Sequence, residues 1–350
     1  MKASQSLLSL LLALVVSSAM AQDIHFSQFY MSPLNLNPAL TGVMNCNQRV
    51  VANYRNQWAS VLKSNAYNTY SASYDQKIAV GRNDNFGVGG TLWGDKAGEL
   101  SFATIQARIS GSYHKKMGGY RHKAHYLVVG ADVGVSQRNI DVLKARWGSQ
   151  HDAANPGTWD PNAPGETLAR PNFLFVDMSA GLLWFTVLNR DGDNFYIGGA
   201  FSHMNRANQS FGKDENIPLY SKLTFHAGSE FMVANRVGLV PGIVTFIQGP
   251  SLEVNGGLSF KFLLGNSRRS HQAFQAGVWG RMAHKLEKGN LMDALILSTR
   301  FDYEDFTLGF SYDLNTSSLR PASNSNGAFE FSLVYKICGP EKRGVYCPTF

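Results

Sequence analysis

The sequence predicts an all-β protein, a single transmembrane antiparallel β-barrel of about 14 strands. Three observations predict it. From residue 47 to residue 337 the chain breaks into segments of about ten residues that alternate in polarity, divided by Gly, Asn, Asp and Pro turns. The 350 residues are 44% hydrophobic and 12% aromatic but 16% charged, with 34 glycines. That is too apolar for disorder and too poor in charge for a coiled coil. The N-terminus, finally, reads as an export signal. A mean hydropathy just below zero excludes a polytopic helical membrane protein, but it is what a barrel gives when lipid-facing and lumen-facing residues cancel.

The export signal comes first in the chain. Lys2 gives a positive start, Leu7 to Val16 form an apolar run too short to cross a bilayer as a helix, and Ala19-Met20-Ala21 is a small-x-small cleavage site. Residues 1–21 are therefore expected to be a signal peptide, and 22–46 a periplasmic or lumenal N-terminal segment. The barrel is expected over 47–337, and a periplasmic C-terminal tail over 338–350. The net charge of +7 is scattered through short segments such as His114-Lys115-Lys116 and Arg268-Arg269. Solvated turns explain that pattern, and nucleic acid is not an expected partner.

The barrel segments show two faces. In 219–231, Leu219, Leu223, Phe225, Ala227 and Phe231 oppose Lys222, Thr224, His226, Gly228 and Glu230. In 306–314, Phe306, Leu308, Phe310, Tyr312 and Leu314 oppose Thr307, Gly309, Ser311 and Asp313. A soluble sandwich alternates too, but its outer face carries many charges, whereas this polar face is mostly Gly, Ser, Thr and Asn and suits a crowded lumen. Only a closed barrel satisfies strand backbone groups in lipid. The strands are expected near 48–56, 67–78, 85–94, 100–113, 124–137, 172–186, 194–203, 219–231, 236–247, 251–263, 271–283, 291–302, 305–315 and 327–337. Pro241 makes the ninth the least regular. An even number puts both termini on one side, periplasmic in bacterial outer-membrane barrels. The longer connections 57–66, 138–171, 204–218 and 316–326 then face outward. The turns 187–193, 232–235, 264–270 and 303–304 are shorter, and 114–123 is an exception. Tyr54, Tyr67, Tyr74, Tyr113, Trp184, Tyr312 and Tyr335 are expected in interfacial girdles.

No enzymatic constellation stands out. His226 and Glu230 share a face and His203 lies at a strand end, but lone histidines of this kind are usually structural. No cofactor motif is present. Cys46, Cys338 and Cys347 lack metal-ligand spacing; in an exported chain one disulfide is expected, Cys338–Cys347 first, with Cys46 joined to either as the next choice. Arg108, Asp132, Lys222, Glu230, Glu253, Lys261, Arg281, Arg300 and Glu330 are expected to point into the lumen, where they must pair or line water. About fourteen strands leave room for a plug, for which 22–46 and 138–171 are the candidates.

Short motifs then accumulate in order along the chain. They are Gln22-Asp23-Ile24-His25-Phe26-Ser27-Gln28-Phe29, Pro33-Leu34-Asn35-Leu36-Asn37-Pro38-Ala39, Tyr54-Arg55-Asn56-Gln57-Trp58, Gln137-Arg138-x-Ile140-Asp141 and Trp147-Gly148-Ser149-Gln150. Asp177-x-Ser179-Ala180-Gly181, Gly280-Arg281, Ser311-Tyr312-Asp313 and Cys347-Pro348-x-Phe350 follow. Together they resemble the PorP/SprF family of the Bacteroidetes type IX secretion and gliding system. The resemblance implies an outer-membrane barrel serving export or surface anchoring of secreted adhesins that carry a C-terminal sorting domain, and no enzyme activity. It also implies contact with a periplasmic OmpA-like peptidoglycan-binding protein or type IX core components. The signature positions it singles out are Asn37, Pro38, Arg55, Gln57, Trp58, Asp141, Trp147, Tyr312 and Asp313. A core component needed for all cargo, and a diffusion or solute channel, are the alternatives.

Overall fold

Alternating segments of this length close on themselves. The computed structural model describes residues 23–339, apart from 82, 120–122, 152–157, 159, 161, 166–167, 189–192, 214, 265–271, 286–288 and 319. The expected signal peptide, and residues 340–350 of the tail with Cys347, lie outside the described residues. Fourteen antiparallel strands follow the chain: β1 (Gln48–Gln57), β2 (Tyr67–Val80), β3 (Asp84–Ala97), β4 (Phe102–Gly118), β5 (Ala124–Asn139), β6 (Asn172–Val187) and β7 (Asn194–Ser202). The second half comprises β8 (Lys222–Ala234), β9 (Val237–Gln248), β10 (Ser251–Leu263), β11 (Gln272–Lys285), β12 (Gly289–Tyr303), β13 (Phe306–Asn315) and β14 (Asn326–Ile337). Each pairs with its sequence neighbours, and β1 closes the ring on β14 with Gln48 opposite Ile337. Every strand thus has a bonded neighbour on each side and the sheet has no open edge, as a lipid environment requires.

The period-two pattern decides the faces. On β5, Leu127, Val129, Val133 and Val135 are exposed on the outside, while Tyr126, Val128, Asp132, Ser136 and Arg138 are buried inside. Exposed Leu, Ile, Val and Phe side chains recur around the wall, a belt that would be an aggregation liability in water and is the lipid face of a membrane barrel.

Two local features differ from expectation. The connection predicted over 114–123 shortens to 119–123, because β4 continues to Gly118 and its residues His114 to Lys116 still pair with β5. Tyr67 does not join an outer girdle: its ring packs edge-on against Trp58, centroids 5.6 Å apart, inside the mouth of the barrel. Pro241 is accommodated where the β8–β9 ladder skips from Gly228–Gly242 to Phe231–Leu239, so its missing N–H interrupts no bond there.

Residues 23–46 lie within the ring. A 3-10 turn (Phe29–Met31), a helical turn (Pro33–Leu36) and a second 3-10 turn (Pro38–Leu40) fold them tightly. Prolines begin the last two, where a missing N–H costs nothing. Met31, Ala39, Leu40 and Val43 are fully buried and pack with wall residues Val51, Val128, Leu183, Phe185, Val244, Trp279, Ile296 and Val334. This is the hydrophobic core of the molecule, and it makes the lumen apolar in part where the sequence suggested a polar one throughout. Contact is backbone to backbone at Gly130, where a Cβ would come within 2.5 Å of Ala39 N and Pro38 O; any side chain there would push the plug off the wall.

The disulfide joins Cys46 to Cys338, which corrects the Cys338–Cys347 pairing placed first from sequence. Closing β1 on β14 brings the end of the plug beside the end of the last strand, with Asn47 N donating to Ile337 O at 3.1 Å. Proximity along the chain could not reveal that.

The plugged lumen and its vestibule as candidate functional site

Called by the strand ends, the barrel has a terminal rim, where β1 starts and β14 finishes, and a far rim, where β1 finishes. The plug runs between them, with Cys46 at the terminal rim and Asp23 near the far one, against His203 after β7 and Lys222 at the start of β8. Polar contacts hold it at four heights.

Lowest is Arg49, whose guanidinium meets Asp75 twice (3.0 and 2.7 Å) and donates to Leu40 O, while Asp75 also accepts from Gly42 N at 2.7 Å. Next is Asn37. Its Oδ1 accepts from Ala39 N (2.8 Å), capping the second 3-10 turn; its Nδ2 donates to Leu182 O (3.0 Å) and Gly199 O (3.2 Å) and lies 3.0 Å from His226 Nε2. One amide thus ties the plug to three strands, and Pro38 after it fixes the turn.

Above lies the densest group. Arg55 bonds Asp313 at 3.0 Å and Glu330 at 3.3 Å; Arg281 bonds the same Asp313 at 3.0 Å and Asp293 at 2.8 Å. The Ser27 hydroxyl donates to Asp313, the Ser27 and Gln28 N–H groups donate to the two Glu330 oxygens (2.8 and 2.9 Å), and Gln57 Oε1 accepts from Arg55 at 3.4 Å. Arg55, Asp313 and Glu330 are all buried. Such charges are tolerable only because each is paired and hydrogen-bonded.

Highest is His203, between Asp177 (Nδ1, 2.9 Å) and Asp23 (Nε2, 2.7 Å). Burial alone would lower the imidazole pKa, but the Asp23 carboxylate and the Asp177 hydrogen bond raise it to about 9. Burial opposes ionisation of Asp23 as well, yet His203 and Lys222 hold its carboxyl far below the usual range. Beside them His25 is held well below its ordinary value by burial, Arg55 and Arg281, so its 3.9 Å approach to Glu253 is that of a neutral ring.

Over this floor opens a vestibule of about 640 Å³ at the far rim, walled by Arg55, Gln57, Trp58, Tyr67, Leu100 and Ile140. Trp58 sits there because β1 ends in a left-handed residue (φ 60°) whose N–H bonds Gly327 O at 2.8 Å.

The signature residues therefore separate. Arg55, Gln57, Trp58 and Asp313 come together, and Asn37 and Pro38 lie deeper in the plug. Tyr312 faces outward and donates to Asn326 at 2.7 Å. Asp141 and Trp147 only shape the long far loop: Asp141 accepts from Leu143 N and pairs with Lys144, and Trp147 N donates to Gln150. Sequence reasoning passed over Ser27 within the plug and Arg49, Asp75 and Asp177 as its partners; each sat in a motif or on a polar strand face, but nothing in the pattern said what it would meet. The predicted lumenal charges all point inward, and eight of the nine are in ion pairs with one another or with plug and strand residues: Arg108–Asp132, Lys222–Asp23, Lys261–Glu230 and Arg300–Asp302, besides Arg281 and Glu330 above, while Glu253 faces His25. Among the described residues no His, Cys, Asp and Glu cluster could hold a metal ion, and Glu230, paired with Lys261, does not serve His226.

Comparison with known proteins gives a family. The model of a family described as type IX secretion system membrane protein PorP/SprF matches residues 18–335. No curated protein matches the sequence. Solved barrels share the outline: a FadL homologue from Pseudomonas aeruginosa is 9% identical with a TM-score of 0.45, covering 86% of this chain and 92% of that one. The TodX monoaromatic hydrocarbon channel (deltaS2 mutant) is 13% identical, TM-score 0.41, covering 87% and 92%. CdiB from Acinetobacter baumannii is 7% identical, TM-score 0.45, covering 84% of this chain, which spans 60% of the length of that protein.

Arg55→Met strands Glu330 without a cation while Asp313 keeps Arg281. Unfolding by urea in liposomes should show a loss of about 3 kcal/mol, and Arg55→Met combined with Glu330→Gln should recover part of it, because the amide removes the unpaired charge and its oxygen still accepts from the plug. The His203 latch has a pH window. Its folded pKa is raised, so its stabilisation is complete below about 6.5 and is lost as pH rises through about 9. Amide exchange at residues 23–27, corrected for intrinsic rates, should therefore accelerate between pH 7 and 9.5. The His203→Gln protein should lack that step.

Proposed function

This chain belongs to the PorP/SprF family of type IX secretion system membrane proteins, and from that membership we propose that its plugged barrel anchors a secreted adhesin at the cell surface. The barrel is an outer-membrane one, and its family works in protein secretion. In this reading the far rim faces outward, and the vestibule beside Trp58 receives the C-terminal sorting domain of the adhesin. The terminal rim, with the Cys46–Cys338 link, faces the periplasm, where an OmpA-like peptidoglycan-binding protein or a core secretion component engages it. Cargo is held by the barrel and does not cross it.

The observation that carries this reading is the filled lumen. Residues 23–46 occupy it from rim to rim and are held by buried, mutually satisfied charges, an arrangement that favours a docking platform over a conduit. The apolar and aromatic walls of the vestibule suit the capture of a polypeptide segment.

Deleting the gene should abolish surface display of the adhesin while other type IX cargo is still released, and Trp58→Ala should reduce the amount of adhesin retained on cells. Loss of all cargo would move the protein to the core machinery, and unchanged adhesin display would reject the anchoring role. Pure protein in planar bilayers should give no persistent open current; a steady current would favour the channel reading.

A further inference from the structure

The outward face of β2 and β3 changes character with height. Paired across the two strands are Ala72 with Leu92, then Tyr70 with Gly94, then Asn68 with Lys96. Leu92 is exposed, as is Ile109 one step lower on the adjoining strand, so this level belongs to the apolar belt. Tyr70, exposed one step higher, lies over Gly94, where an added Cβ would strike its ring. Tyrosines in this position mark the boundary between hydrocarbon and headgroups. Asn68 and Lys96 are one step further out, at headgroup height.

There a cavity of about 940 Å³ opens between the strand ends and the far-loop turn Val142–Lys144, within the size range of ligand pockets. It lies outside the barrel wall; the short β3–β4 connection, which supplies Gly98 and Glu99 to both, separates it from the vestibule. Its walls carry three cations, Lys96, Lys144 and Arg146, against one carboxylate, Glu99, with amides from Asn65, Asn68 and Gln150. Lys144 is engaged by Asp141 (3.1 Å) and Ser101 (2.9 Å). The side chains of Lys96 and Arg146 make no ion pair or hydrogen bond among the described residues. Beside them Leu143 is 98% exposed, a leucine at the tip of a basic turn that nothing among the described residues covers.

We infer that this cavity binds the phosphorylated headgroup of an outer-leaflet lipid. Lys96 supplies a point charge and Arg146 a planar fork for a phosphate, the form of recognition to which guanidinium groups are matched. Of the amides, Asn68 is held by Tyr54, Asn56 and Ala66 O and Gln150 by Trp147 N and Ala163 O, which leaves Asn65 to take a headgroup hydroxyl. Leu143 is then covered by the bound lipid, which accounts for an exposed leucine beside these cations. A soluble anion would satisfy the cations and leave Leu143 bare. The inference rests on the far rim facing outward, as taken above, and is independent of the adhesin role.

The test is lipid binding by the purified full-length barrel in detergent, read by native mass spectrometry with bis-phosphorylated lipid A, its dephosphorylated form and inorganic phosphate as probes. Lipid A should bind the unaltered protein, and the double variant Lys96→Gln with Arg146→Gln should bind it about thirtyfold more weakly, the factor expected from removing two basic residues near a membrane surface. Each single variant should lose about fivefold, which keeps the test open if the double variant fails to fold. Dephosphorylated lipid A should bind as weakly as the double variant, and inorganic phosphate should neither bind nor compete. Equal lipid A binding by the variants, indifference to the phosphates, or saturation by inorganic phosphate alone would overturn the inference.

Discussion

Charge enclosed in a narrow space has to be neutralised, and in this barrel the wall and the plug neutralise it together. Asp313 and Glu330 stand on neighbouring strands and point inward, with Arg55 and Arg281 beside them, but the set is complete only when Ser27 and Gln28 of the plug supply a hydroxyl and two N–H groups. Without the plug, Glu330 would lose two donors in a site shut off from bulk water, a cost of the order of 1–3 kcal/mol for each unsatisfied group. Without the wall, residues 23–46 are three short turns with only their own internal hydrogen bonds and no surface on which to bury Met31, Leu40 and Val43. Neither half makes physical sense alone. The plug also spans the lumen from rim to rim and ends beside the β1–β14 seam at the Cys46–Cys338 link.

The proposed anchoring role fits that closure. A barrel whose interior is committed to its own chain presents only its ends and its outer face. The far end offers the vestibule over Asp23 and His25, bordered by Trp58 and Tyr67; the outer face offers the apolar belt and the basic cavity above Tyr70. An anchor needs a grip on the membrane and a site for its cargo, and these surfaces are separate, divided by the connection between β3 and β4.

Much of the wall was legible because period-two alternation is imposed by the pleat and the two environments it separates. The strand from 251 to 263 was placed to the residue, and β6 and β14 to within one. What the pattern could not carry was any contact between elements distant in sequence. Asn37 and Pro38 were visible as a motif, but their role depends on Gly199 and His226, more than 150 positions away. Cys46 and Cys338 meet only because the ring closes. Tyr67 read as a girdle residue because a tyrosine at a strand end looks the same from either side of the wall; its partner Trp58 decides the side. The connection at 114–123 looked long because His114, Lys115 and Lys116 are polar, yet they continue β4 beyond the apolar belt.

The claim on which everything else stands is that residues 23–46 fill the lumen of the barrel in its native membrane. It is tested most directly by replacing Asn35 and Ser71, whose side chains meet at 2.7 Å across the plug and β2, with cysteines, and treating intact cells with a short bis-maleimide. The account predicts an internal cross-link between the two positions and little labelling of either by a bulky water-soluble maleimide. Free labelling of both thiols without a cross-link would contradict it.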